Sequence, residues 1–121
     1  MNIKNRIVEQ RTIPARELKP HPHNWRKHPK KQRAAFRAVL DEIGFAGVSL
    51  VYRSERHGGA LTLIDGHMRL EEVGDFDIPC AITDLTDKEA DKLLVLAAPL
   101  GDMAEADPAQ LDALLRLVTI E

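Results

Sequence analysis

The hydrophobic and polar positions along the chain follow two different periods. In the segment 30–44, apolar side chains recur every three or four residues, at Phe36, Val39, Leu40 and Ile43. This spacing places them on one stripe of a helix. Gly44 suits the end of that helix, because glycine readily adopts the left-handed conformation common there.

Short apolar runs bounded by turn residues predict strands instead. They lie at 48–53, 60–65 and 78–85, and the turn SERHGG between the first two predicts a hairpin. Pro14 marks the edge of a further strand, because proline cannot donate to a sheet. After the hairpin, the segment HMRLEEVG predicts a short helix that Gly74 ends.

Two more helices are predicted towards the C-terminus. Thr86 and Glu89 have the spacing of a capping box, and the helix that they start is expected to end before Pro99. Asp107 followed by Pro108 marks another helix start. Its apolar stripe consists of Leu111, Leu114, Leu115 and Val118. The order of strands and helices predicts a small α/β (α+β) domain with a mixed sheet.

Composition indicates one globular domain. The chain has 121 residues, of which 44% are hydrophobic and 30% charged. We expect a tail or edge strand at 1–11, the α/β domain at 12–100, and a linker with an amphipathic helix at 101–121.

No apolar run approaches the roughly 20 residues of a membrane span, and the N-terminus lacks a signal core, so a cytoplasmic protein without membrane contact is predicted. The only cysteine, Cys80, excludes an internal disulfide.

Charge is divided unevenly along the chain. Residues 1–37 contain 11 Lys and Arg but two acidic residues, whereas the remainder contains 6 Lys and Arg against 17 Asp and Glu. A basic segment of this kind permits contact with DNA, although a solvated basic helix explains the same charges. The candidate DNA-contact residues are Lys27, Lys30, Lys31, Arg33 and Arg37.

The junction between the second hairpin strand and the short helix is the candidate ligand site. Gly66 lets a ligand approach the backbone, and the start of the helix favours an anion such as phosphate. Arg69 can donate two hydrogen bonds to phosphate oxygens. Asp65 can orient Arg69 or help to hold a metal ion. In the alternative interpretation, Gly66 only makes a tight turn and Arg69 pairs with Glu71 or Glu72.

Other candidates surround this junction. His67 can donate to phosphate or act as an acid or base near neutral pH, so His67 and Asp65 are the catalytic candidates. Met68 completes the predicted phosphate-binding set. In the Pro-rich loop before the first helix, Asn24 can form a turn and Arg26 is a second anion ligand. We interpret His21 and His23 as a plain surface loop, and no metal site is predicted.

Taken in order, these residues resemble the N-terminal ParB/sulfiredoxin-like domain, also called the ParB-like nuclease domain. The matching features are Asn24-x-Arg26, the helix end at Ile43-Gly44, the strand pair, Ile64-Asp65-Gly66-x-x-Arg69, Ile78-Pro79 and Thr86-x-x-Glu89-Ala90. The resemblance covers residues 12–98. It implies an α/β fold in which Gly66 and Arg69 bind nucleotide phosphates, with Asn24 and Arg26 in the loop beside them.

The resemblance also implies a ligand and a biological setting. Partition proteins of this family bind CTP, which gates a DNA clamp, and sulfiredoxins bind ATP. CTP or ATP with Mg²⁺ is therefore the implied ligand. Other relatives accompany DNA methyltransferases in phages and mobile elements, so the implied partners are DNA or a DNA-processing protein.

Departures from the family pattern narrow the expectation. Sulfiredoxins place a reactive cysteine where this chain has His67, so a true sulfiredoxin is not expected. Partition proteins have Gly-Glu-Arg-Arg, whose Glu and first Arg are His67 and Met68 here. The Glu-Asn pair of the family is replaced by the apolar residues 96–100, and no helix-turn-helix follows. A CTP-switched sliding clamp is accordingly not expected.

Three functions follow from these observations. The first is a stand-alone nucleotide-binding module with weak NTPase activity that works in DNA maintenance or modification. The second is a DNA-binding protein or metal-dependent nuclease. The third is a degenerate adaptor that lost the ligand and associates through residues 108–120, for example as a homodimer.

Overall fold

The computed structural model describes residues 1–24, 27–73 and 76–118, without the side chains of 97–102. Strands and helices alternate in the predicted order, so the small mixed α/β fold is confirmed. The elements are β1 (Ile7–Pro14), α1 (Lys30–Glu42), β2 (Ser49–Ser54), β3 (Ala60–Asp65), α2 (His67–Glu72), β4 (Asp77–Thr83), α3 (Asp87–Asp102) and α4 (Pro108–Leu117).

Four strands form one sheet in the order β1-β4-β2-β3. β1 is antiparallel to β4, β4 is parallel to β2, and β2 and β3 form the predicted antiparallel hairpin. A parallel pair requires a crossover connection, and β3 with α2 supplies it between β2 and β4. The crossover places the β3–α2 junction at the end of the sheet.

Both faces of the sheet are covered. On one face, Ile13, Leu63, Ile78 and Cys80 belong to a buried cluster against which α2 packs Leu70. On the other face, Tyr52, Ile64 and Ala90 form a second cluster that joins α3 to the sheet. Cys80 is buried in the first of these clusters.

Local capping signals place the starts of α3 and α4. Thr86 Oγ1 accepts the N–H of Glu89 at 3.2 Å, and the Glu89 carboxylate accepts the N–H of Thr86 at 3.1 Å, which is the predicted capping box. Asp107 accepts the N–H groups of Ala109 and Gln110 at 3.1 and 3.2 Å. The predicted start of α4 is therefore confirmed.

Two element boundaries differ from the sequence prediction. β1 begins at Ile7 and pairs with β4 along the edge of the sheet. The second half of segment 1–11 is therefore an edge strand, one of its two expected states, and this strand continues into the domain predicted to begin at residue 12. α3 continues past Pro99 to Asp102, where the sequence predicted an earlier end. The helix stop predicted at Gly74 lies outside the described residues, and α2 ends at Glu72. None of the described helices has the length and apolar character needed to span a membrane.

α1 has no fully buried residue, and ion pairs contribute to its attachment to the domain. Arg33 Nε donates to the Glu72 carboxylate at the end of α2. Arg37 Nη1 donates to the Glu72 carbonyl oxygen at 3.2 Å and lies 3.8 Å from its carboxylate. The Glu72 side chain is only 10% exposed, so this ion pair is shielded from solvent on one side.

We expect Glu72→Gln to lower the free energy of unfolding by about 1–2 kcal/mol, because it leaves Arg33 without its carboxylate partner. Amide hydrogen exchange in α1 should accelerate at the same time. Urea unfolding and hydrogen exchange measure the two effects. Glu71→Gln is the matched control, since Glu71 is exposed and forms no ion pair with any described residue. Equal losses in both variants would contradict this role of Glu72.

Candidate functional site

The β3–α2 junction turns at Gly66, which has a φ of 104°. A Cβ at this position would lie 2.8 Å from the Cβ of Ser49 and still closer to its Oγ. Ser49 is fully buried at the start of β2, so it has no room to move aside. Glycine is therefore required here both by the backbone conformation and by the neighbouring side chain.

A cleft of about 240 Å³ opens at this junction. The β3–α2 junction forms one wall, and the segment around the start of α1 forms the other. The lining residues are Asn24, His28, Gln32, Phe36, Ile64, Asp65, Gly66, His67, Met68, Arg69 and Leu94. The structure thus brings together the predicted set Asn24, Asp65, Gly66, His67, Met68 and Arg69, while Arg26 lies outside the described residues.

Arg69 retains most of its hydrogen-bond donors at the cleft. Its Nη1 lies 3.5 Å from the carbonyl oxygen of Val48, at the limit of hydrogen-bond distance. Glu72, its predicted alternative partner, contacts α1 instead. Among the residues that the structure describes, no carboxylate pairs with Arg69. The guanidinium is therefore available to an anion that enters the cleft.

His67 is held as a neutral side chain. It is 7% exposed, and its Nε2 accepts the backbone N–H of His21 at 3.0 Å. Burial, reinforced by the neighbouring imidazoles of His21 and His28 and opposed by Asp65, lowers the pKa of His67 to about 4. At pH 7 the proton consequently resides on Nδ1, which is the only ring donor left. Any acid–base or phosphate contact of His67 has to use that atom.

The Pro-rich loop is fixed by His21, which we predicted to lie on the surface. That prediction is wrong, since the ring of His21 is buried. Its Nδ1 accepts the N–H of His23 at 2.9 Å, so Nε2–H donates to Asp91 of α3 at 2.8 Å. Burial lowers the pKa of His21, which keeps this tautomer neutral. Asp91 is distant in sequence, so residue spacing could not indicate the contact.

The sequence interpretation missed part of the α1 wall. His28, Gln32 and Phe36 are spaced by four residues and line the cleft together, and His28 Nδ1 lies 3.3 Å from Gln32 Oε1. Gln32 and Phe36 lie on α1, where a spacing of four places side chains on one face, so this spacing is the signal that indicates Gln32. His28 precedes the helix, and its spacing gives no such signal.

The basic candidates for DNA contact separate into two groups. Arg33 and Arg37 bind Glu72, so they fix α1 in place. Lys27, Lys30 and Lys31 are exposed and form no ion pair with the described part of the chain. Of the five predicted DNA-contact residues, these three lysines are therefore the ones without an ion pair among the described residues.

Asp65 is the sole carboxylate among the described lining residues of the cleft. Mg²⁺ commonly binds one or two carboxylates together with substrate phosphates, so Asp65 fits an ion that arrives with a nucleotide. Within residues 1–24, 27–73 and 76–118, no three His, Cys, Asp or Glu side chains lie close enough to hold a metal ion by themselves.

We expect Gly66→Ala to destabilise the protein by about 1–3 kcal/mol more than Gly58→Ala. Gly58 also has a positive φ, 66°, but a Cβ there meets nothing within 4 Å, so it isolates the backbone effect. Urea unfolding measures both losses. Ser49→Gly should remove the excess cost in Gly66→Ala, because it removes the clashing atoms. If both alanine variants lose equal stability, the close approach is unimportant.

The buried imidazole of His67 also predicts a pH dependence of stability. An unfolded histidine has a pKa near 6.5, whereas the pKa of folded His67 is about 4. Between these values the unfolded chain binds the additional proton, so stability falls as the pH drops from about 7 to about 4. We expect His67 to account for about 1–3 kcal/mol of this loss.

His67→Gln tests this contribution, since the amide oxygen can still accept the His21 N–H while the side chain cannot titrate. Urea unfolding between about pH 7 and pH 4 should show a shallower loss in the variant. The lowered pKa of His21 contributes with the same sign, so some slope remains. His23→Gln is the exposed control. An unchanged slope in His67→Gln would show that the ring is not protected from protonation.

No family model matches the chain, and no curated protein is significantly similar to it. Solved structures are similar in fold. The C-terminally truncated chromosome-partitioning protein ParB from Caulobacter crescentus, complexed with CTP-γ-S, aligns with a TM-score of 0.65 and 18% identity over 83% of this chain. The alignment covers 56% of the ParB chain, so the present chain spans little more than half of its length.

Sulfiredoxin from Arabidopsis thaliana aligns with a TM-score of 0.57 and 18% identity, over 73% of this chain and 98% of the sulfiredoxin. Both alignments agree with the resemblance drawn from the order of motifs along the sequence. The similarity to both proteins is a similarity of backbone fold, because only 18% of the aligned residues are identical in each case. The chain has the ParB/sulfiredoxin fold.

Proposed function

We propose that the cleft between α1 and the β3–α2 junction binds the phosphates of a nucleotide, CTP or ATP. The main observation behind this proposal is that Arg69 lines the cleft and forms no ion pair with any described carboxylate. Its guanidinium borders the cleft, and Glu72, which is three residues further along α2, is bound by Arg33 and Arg37. An unpaired guanidinium beside a cleft favours binding of an anion.

The backbone at Gly66 supports the same ligand. No side chain caps the start of α2, and the absence of a Cβ lets phosphate oxygens approach the main chain. α2 has only six residues, so its dipole adds little to this attraction. We therefore assign most of the electrostatic attraction to the charge of Arg69 and treat Gly66 as the position that gives access.

The remaining lining residues suit the nucleoside portion. Phe36, Ile64 and Leu94 supply apolar surface, while His28 and Gln32 supply polar groups on the facing wall. A cleft that combines apolar side chains with a few polar groups is typical of small-molecule sites. A nucleotide presents both kinds of surface, whereas inorganic phosphate uses only the charged end.

The comparison with ParB supports a nucleoside triphosphate as the ligand class. The aligned ParB structure is a complex with CTP-γ-S. The proposal includes both CTP and ATP. At 18% identity, the similarity to ParB establishes the shared fold but does not indicate which base this cleft would recognise. Mg²⁺ would accompany the triphosphate, with Asp65 as its protein ligand, and would neutralise phosphate charge when bound.

We place this nucleotide-binding module in DNA maintenance or modification in the cytoplasm, with weak NTPase activity. The exposed lysines Lys27, Lys30 and Lys31, at and just before the start of α1, support contact with a phosphate backbone.

A nucleotide melting screen tests the proposal. CTP or ATP with Mg²⁺ at about ten times its Kd should raise the melting temperature by about 5 °C. Arg69→Ala should abolish the shift, because it removes the cation at the cleft. The matched control is Arg53→Ala, since Arg53 is an exposed arginine on the hairpin outside the cleft lining.

Inorganic triphosphate in the same screen separates phosphate binding from recognition of the nucleoside. A larger shift with the nucleotide than with triphosphate indicates contacts to base or ribose. If no nucleotide at millimolar concentration shifts the unmodified protein, or if Arg69→Ala retains the full shift, the proposed function is wrong.

A further inference from the structure

α4 presents an apolar face that the single chain leaves uncovered. Every residue from 103 to 118 is exposed, although Asp107 caps the helix properly. An isolated helix of ten residues is marginally stable in water, so a helix of this length normally depends on packing of its apolar stripe. The uncovered stripe consists of Leu111, Leu114, Leu115 and Val118.

A second uncovered apolar surface lies on α1 and the segment that follows it. Two depressions of about 210 Å³ each meet at Leu40, Gly44 and Phe45. We call this surface the Phe45 groove, and its apolar side chains are Phe36, Val39, Leu40, Ile43, Phe45, Ala46, Val73 and Phe76. None of them is fully buried, and Ile43 is 65% exposed. Contiguous exposed apolar surface of this kind marks sites of protein association.

The two surfaces carry opposite charge. Among the described residues that line the Phe45 groove, Arg37 and Arg69 are basic and Asp41 is acidic, which gives the lining a net charge of +1. The segment 103–118 has three acidic residues, Glu105, Asp107 and Asp112, against Arg116, which gives −2. Opposite net charge favours approach of these two surfaces and disfavours pairing of either surface with itself.

We propose that α4 of one copy docks in the Phe45 groove of a second copy, and that the second copy returns the same contact. Within one chain α4 stays exposed along its length, so its own groove does not cover it. A reciprocal exchange covers both apolar surfaces in both copies and closes as a two-fold dimer. The docking needs no nucleotide, so it stands independently of the proposed function.

Sedimentation equilibrium of the full chain across a range of concentrations tests the dimer. We expect Leu115→Asn and Ile43→Asn each to raise the dimer dissociation constant at least tenfold. Leu117→Asn is the matched control, since Leu117 is on the same helix but off the apolar stripe. Leu115, Leu117 and Ile43 are 62%, 84% and 65% exposed, so all three substitutions should leave the monomer folded, which thermal melting checks.

Disulfide trapping identifies the contact itself. A tagged Leu115→Cys chain mixed with an untagged Ile43→Cys chain should give a mixed-mass disulfide dimer on mild oxidation. Buried Cys80 does not compete, because it is not accessible. The expected product requires α4 of one copy to reach the groove of the other.

Four results would overturn the proposal. They are a monomer at every concentration, a dimer that Ile43→Asn leaves intact, efficient trapping between two Leu115→Cys chains, and an intrachain disulfide in the Leu115→Cys, Ile43→Cys double variant at low concentration. The first points to a different partner, and the second to another receiving face. The third indicates pairing of two α4 helices, and the fourth indicates that α4 folds onto its own groove.

Discussion

The interaction of Glu72 with Arg33 and Arg37 determines how the cleft is built. α1 has no buried residue, so this partly shielded ion pair is its main polar attachment to α2 and thereby to the sheet. The same carboxylate lies on the helix that carries Arg69, three residues further on. Because two arginines of α1 take Glu72, Arg69 keeps its donors. One side chain therefore positions a wall of the cleft and leaves the opposite wall positively charged.

Local sequence signals were sufficient for most of the fold. The hairpin, the capping box of α3 and the Asp107 cap of α4 depend on residues only a few positions apart, and each formed as predicted. The extents of β1 and α3 differed, because they depend on longer-range or opposing effects. β1 begins at Ile7 through pairing with β4, and α3 tolerates Pro99 although proline disfavours a helix interior.

The sequence indicated individual residues of the site but not the contacts between them. Gly66 and Arg69 were indicated by their spacing of three residues at the junction between a predicted strand and a predicted helix. Whether Arg69 would pair with Glu72 was decided by competition from α1, which is far away in sequence and close in space. The burial of His67 was likewise invisible to residue spacing, and burial changes the imidazole from a cation candidate into a neutral acceptor for the His21 N–H.

Arg69 lines the cleft proposed for the nucleotide and also borders the depression that contains Phe45. Its Nη2 would meet a Cβ on Gly47 at 3.0 Å, so the guanidinium rests against the segment that leads from the groove into β2. If a nucleotide binds this guanidinium in the proposed cleft, it competes with the contact to that segment. Any resulting coupling between the proposed cleft and the groove is reciprocal, because thermodynamic linkage makes the effect of each site on the other equal in size.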